Sequence, residues 1–173
     1  MDAYELRALQ APFKQRYKQD PQRAMIPARA EAVIEDGGGI TCRVRTFGGV
    51  ATAGLHPAAG GDGSTACSAD MLMEALVACA GVTFKAVATA MRIPLKNARV
   101  IAEGTWNVSG TLAVDRHAPI GLTKVRLMFE INSSADAKKL EKLVQLTERY
   151  CVIYQTLVNP PKLSSQYQKI DAA

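Results

Sequence analysis

Apolar and polar positions along the chain change period several times, and each change marks an element. Over residues 3–18, Leu6, Leu9, Phe13 and Tyr17 recur at helical spacing among Arg, Lys and Gln, and Asp20-Pro21 stops the pattern. Ala28 to Ile34 and Ile40 to Phe47 then read as short strands. The sequence between them, Glu35-Asp36-Gly37-Gly38-Gly39, suits a hairpin turn, and a third strand is expected near Val50 to Ala53. GLHPAAGGDGSTAC, residues 54–67, is too rich in Gly and Pro for long regular structure and is the best candidate for an active-site loop.

A long helix is predicted from Ser68, as N-cap, to about Arg92, with Asp70 in its first turn and Pro94 beyond its end. Its only charges are Asp70, Glu74, Lys85 and Arg92, so it reads as a central helix buried all round. Leu95 to Val114 and Thr123 to Ile131 read as two long strands joined by the loop DRHAPIG at 115–121. The second strand alternates, with Val125, Leu127, Phe129 and Ile131 inward and Lys124, Arg126 and Glu130 outward. Ser133 or Ser134 is expected to cap a further helix whose stripe runs through Leu140, Leu143, Val144, Thr147, Cys151, Tyr154 and Val158. Asn159-Pro160-Pro161 ends it, and Lys162 to Ile170 is expected to return as an edge strand.

This order predicts an α+β protein, with two long apolar helices against curved antiparallel sheets. Residues 1–27 form an N-terminal helical extension and residues 28–170 one domain. Two such apolar helices have few partners in 173 residues, so packing against a second subunit is expected.

Composition narrows the function. Hydrophobic residues make up 48% and aromatics 6%, which implies an aliphatic, alanine-rich core. The net charge of +5 is scattered rather than gathered into a run, and no aromatics interleave with basic residues, so no nucleic-acid partner is expected. The first twenty residues mix charges without a continuous apolar segment, and the uncharged stretch Ala75 to Phe84 is half of the roughly 20 residues a membrane span needs. A cytoplasmic protein with no membrane partner is expected, its cysteines 42, 67, 79 and 151 reduced at rest.

Known motifs exclude several chemistries. No two cysteines are nearer than twelve residues, which is not zinc-ligand spacing. GxGxxG, GxxxxGK[ST] and GxSxG are absent, and His56 and His117 read as loop histidines, so no metal or cofactor is expected. Thiol chemistry remains: a thiolate attacks a peroxide oxygen and a second thiol resolves the sulfenic acid as a disulfide. Cys79, about eleven residues into its helix, lies too far from that helix's own N-terminus for activation, leaving Arg43, Arg45, His56 and Arg149 as candidate cations. On spacing and burial alone, inert core thiols are the commoner outcome.

Two segments carry a resemblance. SADMLMEALVACAGVTFKAVA resembles the central helix of the OsmC/Ohr family of organic hydroperoxide resistance proteins, and TERYCVIYQTL resembles its second cysteine motif. The Gly-rich loop and long hairpin fall in the same order. The resemblance covers roughly residues 28–170 and implies an intertwined homodimer with sheets wrapped around central helices. It makes Cys79 the peroxidatic and Cys151 the resolving cysteine of a thiol peroxidase acting on small or fatty organic hydroperoxides. Electrons would return from a dithiol, often lipoamide on a protein, without metal, flavin or haem.

The family also implies an arginine held by a glutamate ten residues before the reactive cysteine. Here that position is Ala69, preceded by Ser68 in place of proline, with Asp70 adjacent and Glu74 one turn on. Leu55 and His56 occupy the loop where the arginine is often found. This departure keeps a second reading open, a non-peroxidase member binding a small hydrophobic molecule in the cleft near Cys79. A third is a structural dimer with buried thiols. Cys67 remains an alternative resolving partner.

Overall fold

Short-range chemistry sets the first helix. The computed structural model describes residues 1–34, 36–37 and 39–169. Helix α1, Ala3–Gln19, starts at a capping box: Asp2 accepts from the Tyr4 and Glu5 N–H groups, and the Asp2 N–H donates to Glu5 at 2.8 Å. Its apolar stripe stays largely open, with Leu9 and Phe13 exposed and only Ala3 buried.

Strands β1 (Ala32–Val33), β2 (Thr41–Thr46) and β3 (Gly49–Gly54) form an antiparallel sheet in that order. The strand expected from Ala28 is thus only two residues long. It is an edge strand, paired through Ala32↔Val44 and Val33↔Arg43, with the Arg45 N–H reaching the Glu31 carbonyl at 3.3 Å just before it. Glu35 and Gly38 of the predicted turn lie outside the described residues. The sheet joins the loop through Gly54 N–H to the Ala66 carbonyl at 3.0 Å and Ala66 N–H to the Thr52 carbonyl at 3.1 Å. Within that loop, Gly61 is required because a Cβ would collide with the Leu55 carbonyl.

Helix α2 spans Ser68–Ala90. Its cap is Cys67, not Ser68, and no side chain fills that role: the ladder begins with Met71 N–H to the Cys67 carbonyl, which leaves Ser68 already helical. One stripe is buried, formed by Leu76, Ala80, Phe84 and Ala88 at i, i+4 spacing. The expectation of burial all round is corrected, since Leu72 is 37% and Val82 74% exposed. Neighbours within the chain cover one side of this helix only. By length and mean hydropathy, 1.7 over eighteen residues, α2 would also suffice to cross a membrane, yet its buried stripe packs as a core helix does. The helix ends with Ile93 N–H bonded to the Ala88 carbonyl and Arg92 N–H to Thr89, with Arg92 left-handed at φ 55°.

Strands β4 (Leu95–Trp106) and β5 (Leu122–Ser133) pair antiparallel from Leu95↔Ser133 to Trp106↔Leu122. Val100, Ala102, Leu127, Phe129 and Ile131 turn toward the helices, and Phe129 stacks on Phe84 with ring centroids 5.3 Å apart. The strand predicted to reach Val114 stops at Trp106. There Asn107 accepts from Ser109 N–H and starts the short helix α3, Val108–Thr111.

Helix α4, Ala137–Tyr150, is capped by Asp136, which accepts from Lys139 N–H at 2.9 Å. The expected serine cap is corrected: Ser133 is occupied elsewhere, donating to the Pro94 carbonyl at 2.6 Å and accepting from Ala135 N–H. Leu143 and Thr147 are fully buried. The predicted continuous helix breaks at Cys151 and resumes as α5, Val152–Val158. Residues 162–169 are exposed and pair with no strand, so the expected return strand does not form there; Ile170 lies outside the described residues. Pro160 and Pro161, which donate no N–H, precede this segment.

Candidate thiol site

Three elements meet around the two helical cysteines. Cys79 sits on the edge of the α2 stripe between Leu76 and Thr83 and is half-buried, while Cys151 is fully buried. Both belong to one apolar cluster with Leu76, Ala80, Leu127, Phe129 and Ile153. Cys151 leaves the helical conformation at φ −75°, ψ 111° and serves both helices at once. Its N–H closes α4 on the Thr147 carbonyl at 2.9 Å, its carbonyl accepts from Gln155 N–H, and its Sγ accepts from Tyr154 N–H at 3.5 Å. A thiol stands here where a serine hydroxyl commonly caps. The run Val152-Ile153-Tyr154, β-branched and aromatic, has weak helix propensity, which makes the break inexpensive.

That break sets the start of α5 beside Cys79. The first N–H groups of a helix have no partner inside it, and those of Val152 and Ile153 lie near enough to Cys79 to favour its thiolate. Burial is the largest single influence on Cys79 and pushes its thiol up. The N–H groups of Ile153 and Val152, the Cys151 thiol and the Thr83 hydroxyl together outweigh it and hold Cys79 below its ordinary value. Cys151 moves the other way: burial raises it, Tyr154 N–H opposes, and the neighbouring Cys79 sulfur raises it further. Cys79 is therefore the first of the pair to ionise.

The expected cation is not among the principal groups acting on Cys79. Arg149 lies over the Tyr150 ring at 5.7 Å, and Arg43 and Arg45 project from β2 opposite Thr52 and Val50. His56 accepts from Ala58 N–H at 3.0 Å and meets Trp106 edge-on at 5.6 Å, in a cavity of about 370 Å³ with Cys67 and Ala69. Ala69 precedes Cys79 by ten residues on one helix, about 15 Å along its axis, and Asp70 and Glu74 are exposed. Cys67 is about 18 Å away along the same helix, beyond the roughly 7 Å limit between disulfide-bonded Cα atoms, so it cannot resolve Cys79 within one chain. Cys42 sits on β2 opposite Ala53.

Sequence reading missed Thr83 and the Val152 and Ile153 N–H groups. Thr83 was available from spacing, being four residues after Cys79 and so on the same face. The N–H donors needed the helix break. A second cavity, of about 420 Å³, adjoins the thiol cluster between α2, β5 and α5 and shares Leu72 and Leu122 with the first.

The fold agrees with what similarity shows. A family model described as OsmC-like protein matches residues 61–166. Among solved structures, the OsmC-like protein of Mycoplasma pneumoniae has 17% identity over 78% of this chain and 89% of its own, with a TM-score of 0.63. An organic hydroperoxide resistance protein of Elizabethkingia anophelis has 15% identity over 79% and 91%, with a TM-score of 0.62. The organic hydroperoxide resistance protein OsmC of Legionella pneumophila has 18% identity over 77% and 90%, with a TM-score of 0.59. No curated protein matches the chain. The fold is α+β and OsmC-like, and the chain belongs to the OsmC/Ohr family.

Proposed function

We propose that this chain is a thiol peroxidase for organic hydroperoxides, with Cys79 as nucleophile and Cys151 as resolving thiol. The observation that carries this reading is the meeting of Cys79 with the buried Cys151 in one apolar cluster where α2 faces the start of α5. The Cys79 thiolate attacks the distal peroxide oxygen, the O–O bond breaks, and the alkoxide takes a proton and leaves as the alcohol. Cys151 gives up its proton and attacks the sulfenic sulfur; the S–S bond forms and hydroxide leaves as water. An external dithiol, such as lipoamide on a partner protein, then reduces the disulfide and is itself oxidised to a disulfide. N–H donors take the place of a guanidinium at the thiolate. The open face of α2 suits a second copy of the chain, and a reducing cytoplasm suits thiols at rest.

The test is hydroperoxide consumption by purified protein with an alkyl hydroperoxide and a dithiol, beside Cys79→Ser. Consumption is expected from the first alone; equal rates would remove Cys79 from the mechanism.

One observation favours a second reading, binding of an apolar molecule without turnover: none of the principal groups at Cys79 is charged. That reading predicts a Cys79 pKa above about 8 and no disulfide after peroxide treatment.

A further inference from the structure

Helix α1 precedes the residues that the family model matches, and Ala3 in its first turn is its one buried residue. Its second half stands clear of the core. There Phe13 and Tyr17, one turn apart, bring their rings to 6.4 Å, and Phe13 stays 47% exposed. Met25 and Ile26, shortly beyond the helix, are exposed as well.

Successive residues advance about 100° round a helix. Lys14 and Lys18, each one place after a ring, therefore lie on one flank of the aromatic pair, and Arg16, one place before Tyr17, lies on the other. The acids of this region are engaged elsewhere: Asp2 caps α1, Glu5 meets the N-terminal ammonium at 3.6 Å, and Asp20 pairs with Arg23 at 3.0 Å. Lys14, Arg16 and Lys18 join no ion pair among the described residues.

An apolar ridge edged by cations on both sides fits a surface that is anionic outside and apolar beneath, the headgroup boundary of an acidic bilayer. A second copy fits less well. The chain carries a net charge of +5, and residues 1–29 hold six Lys and Arg against three Asp and Glu, so these cations would meet a like-charged partner. A nucleic acid would satisfy the cations but leave the exposed Leu9, Met25 and Ile26 in water. The expectation of no membrane partner rested on the lack of a spanning segment, and a helix lying in the interface needs none.

We propose that α1 is an interfacial anchor that docks the protein on anionic lipid surfaces, with Phe13 and Tyr17 among the acyl chains and Lys14, Arg16 and Lys18 at the headgroups. Docking needs no thiol chemistry, so it stands or falls apart from the peroxidase reading.

The test is co-sedimentation of the full chain with vesicles of phosphatidylcholine alone, or of equal parts phosphatidylcholine and phosphatidylserine. At least ten-fold tighter binding to the anionic vesicles is expected, weakened at about 0.5 M salt. Lys14→Glu with Lys18→Glu should weaken it at least ten-fold, and Phe13→Ser should weaken it too, with circular dichroism unchanged because all three side chains are exposed. The same charge reversal at the exposed Lys138 and Lys142 of α4 should leave binding intact. No binding, equal binding to both vesicle types, indifference to the α1 variants, or equal loss from the α4 variant would overturn the proposal. So would tighter binding to an oligothymidylate than to the vesicles, which would assign the ridge to nucleic acid, or a changed sedimentation coefficient in the α1 variants, which would assign it to a second copy.

Discussion

At the residue scale, the site turns on a contest at Cys79 between burial and hydrogen bonds. Burial of a half-exposed thiol is a moderate penalty, and four donors outweigh it. Because an acid held low is ionised over more of the neutral range, iodoacetamide should label Cys79 in the folded protein with a lower half-maximal pH than in the unfolded protein. Cys151 should resist labelling until the protein unfolds, being both buried and raised. Thr83→Val removes one donor and should move the Cys79 midpoint upward, which a pH series of labelling rates reads directly. An unchanged midpoint would deny Thr83 its role. Cys79 and Cys151 were legible as a pair from their helical frames. The sign of each shift was not, because it depends on backbone groups brought in from another helix.

At the element scale, helix ends separate what local sequence specifies from what it only permits. Asp136 caps α4 although two serines precede it, so Asp136→Ala should cost about 1 kcal/mol. Ser134→Ala should stay within about 0.5 kcal/mol, as measured by chemical denaturation. Arg92 ends α2 in the left-handed conformation that favours glycine, with Ile93 packed back into the Ala88 cluster. Arg92→Gly should therefore leave the fold intact and raise stability by about 0.5–1 kcal/mol; a loss would show that the arginine side chain outweighs the backbone strain. The amphipathic stripe of α4, the inward Leu127, Phe129 and Ile131 of β5 and the stop at Asn159 were readable because periodicity and proline act locally, whereas Val125, in phase with them, is exposed near the start of its strand. The break at Cys151 was not, since the apolar stripe continues through it without a change of phase.

At the scale of the whole molecule, one chain leaves a long apolar helix half covered. Leu72 and Val82 of α2 are exposed, as is Phe47 at the β2–β3 tip. Apolar surface of this extent is what a second subunit covers. Val82→Asp should weaken self-association, so sedimentation velocity should show a dimer for the unmodified chain and a monomer for the variant. A monomer in both would leave α2 without the expected partner.

The sequence by itself determined the α+β order of elements, the helix that bears Cys79 and the family the chain resembles, because hydrophobic period and turn chemistry are encoded within a few residues. Only the tertiary structure decided which groups surround the thiol. Cys79 and the N–H groups of Val152 and Ile153 are more than seventy residues apart, and packing of α5 against α2 brings them together. The length of α2 also excludes Cys67 as a partner of Cys79 within one chain, since the helix holds the two about 18 Å apart along its axis.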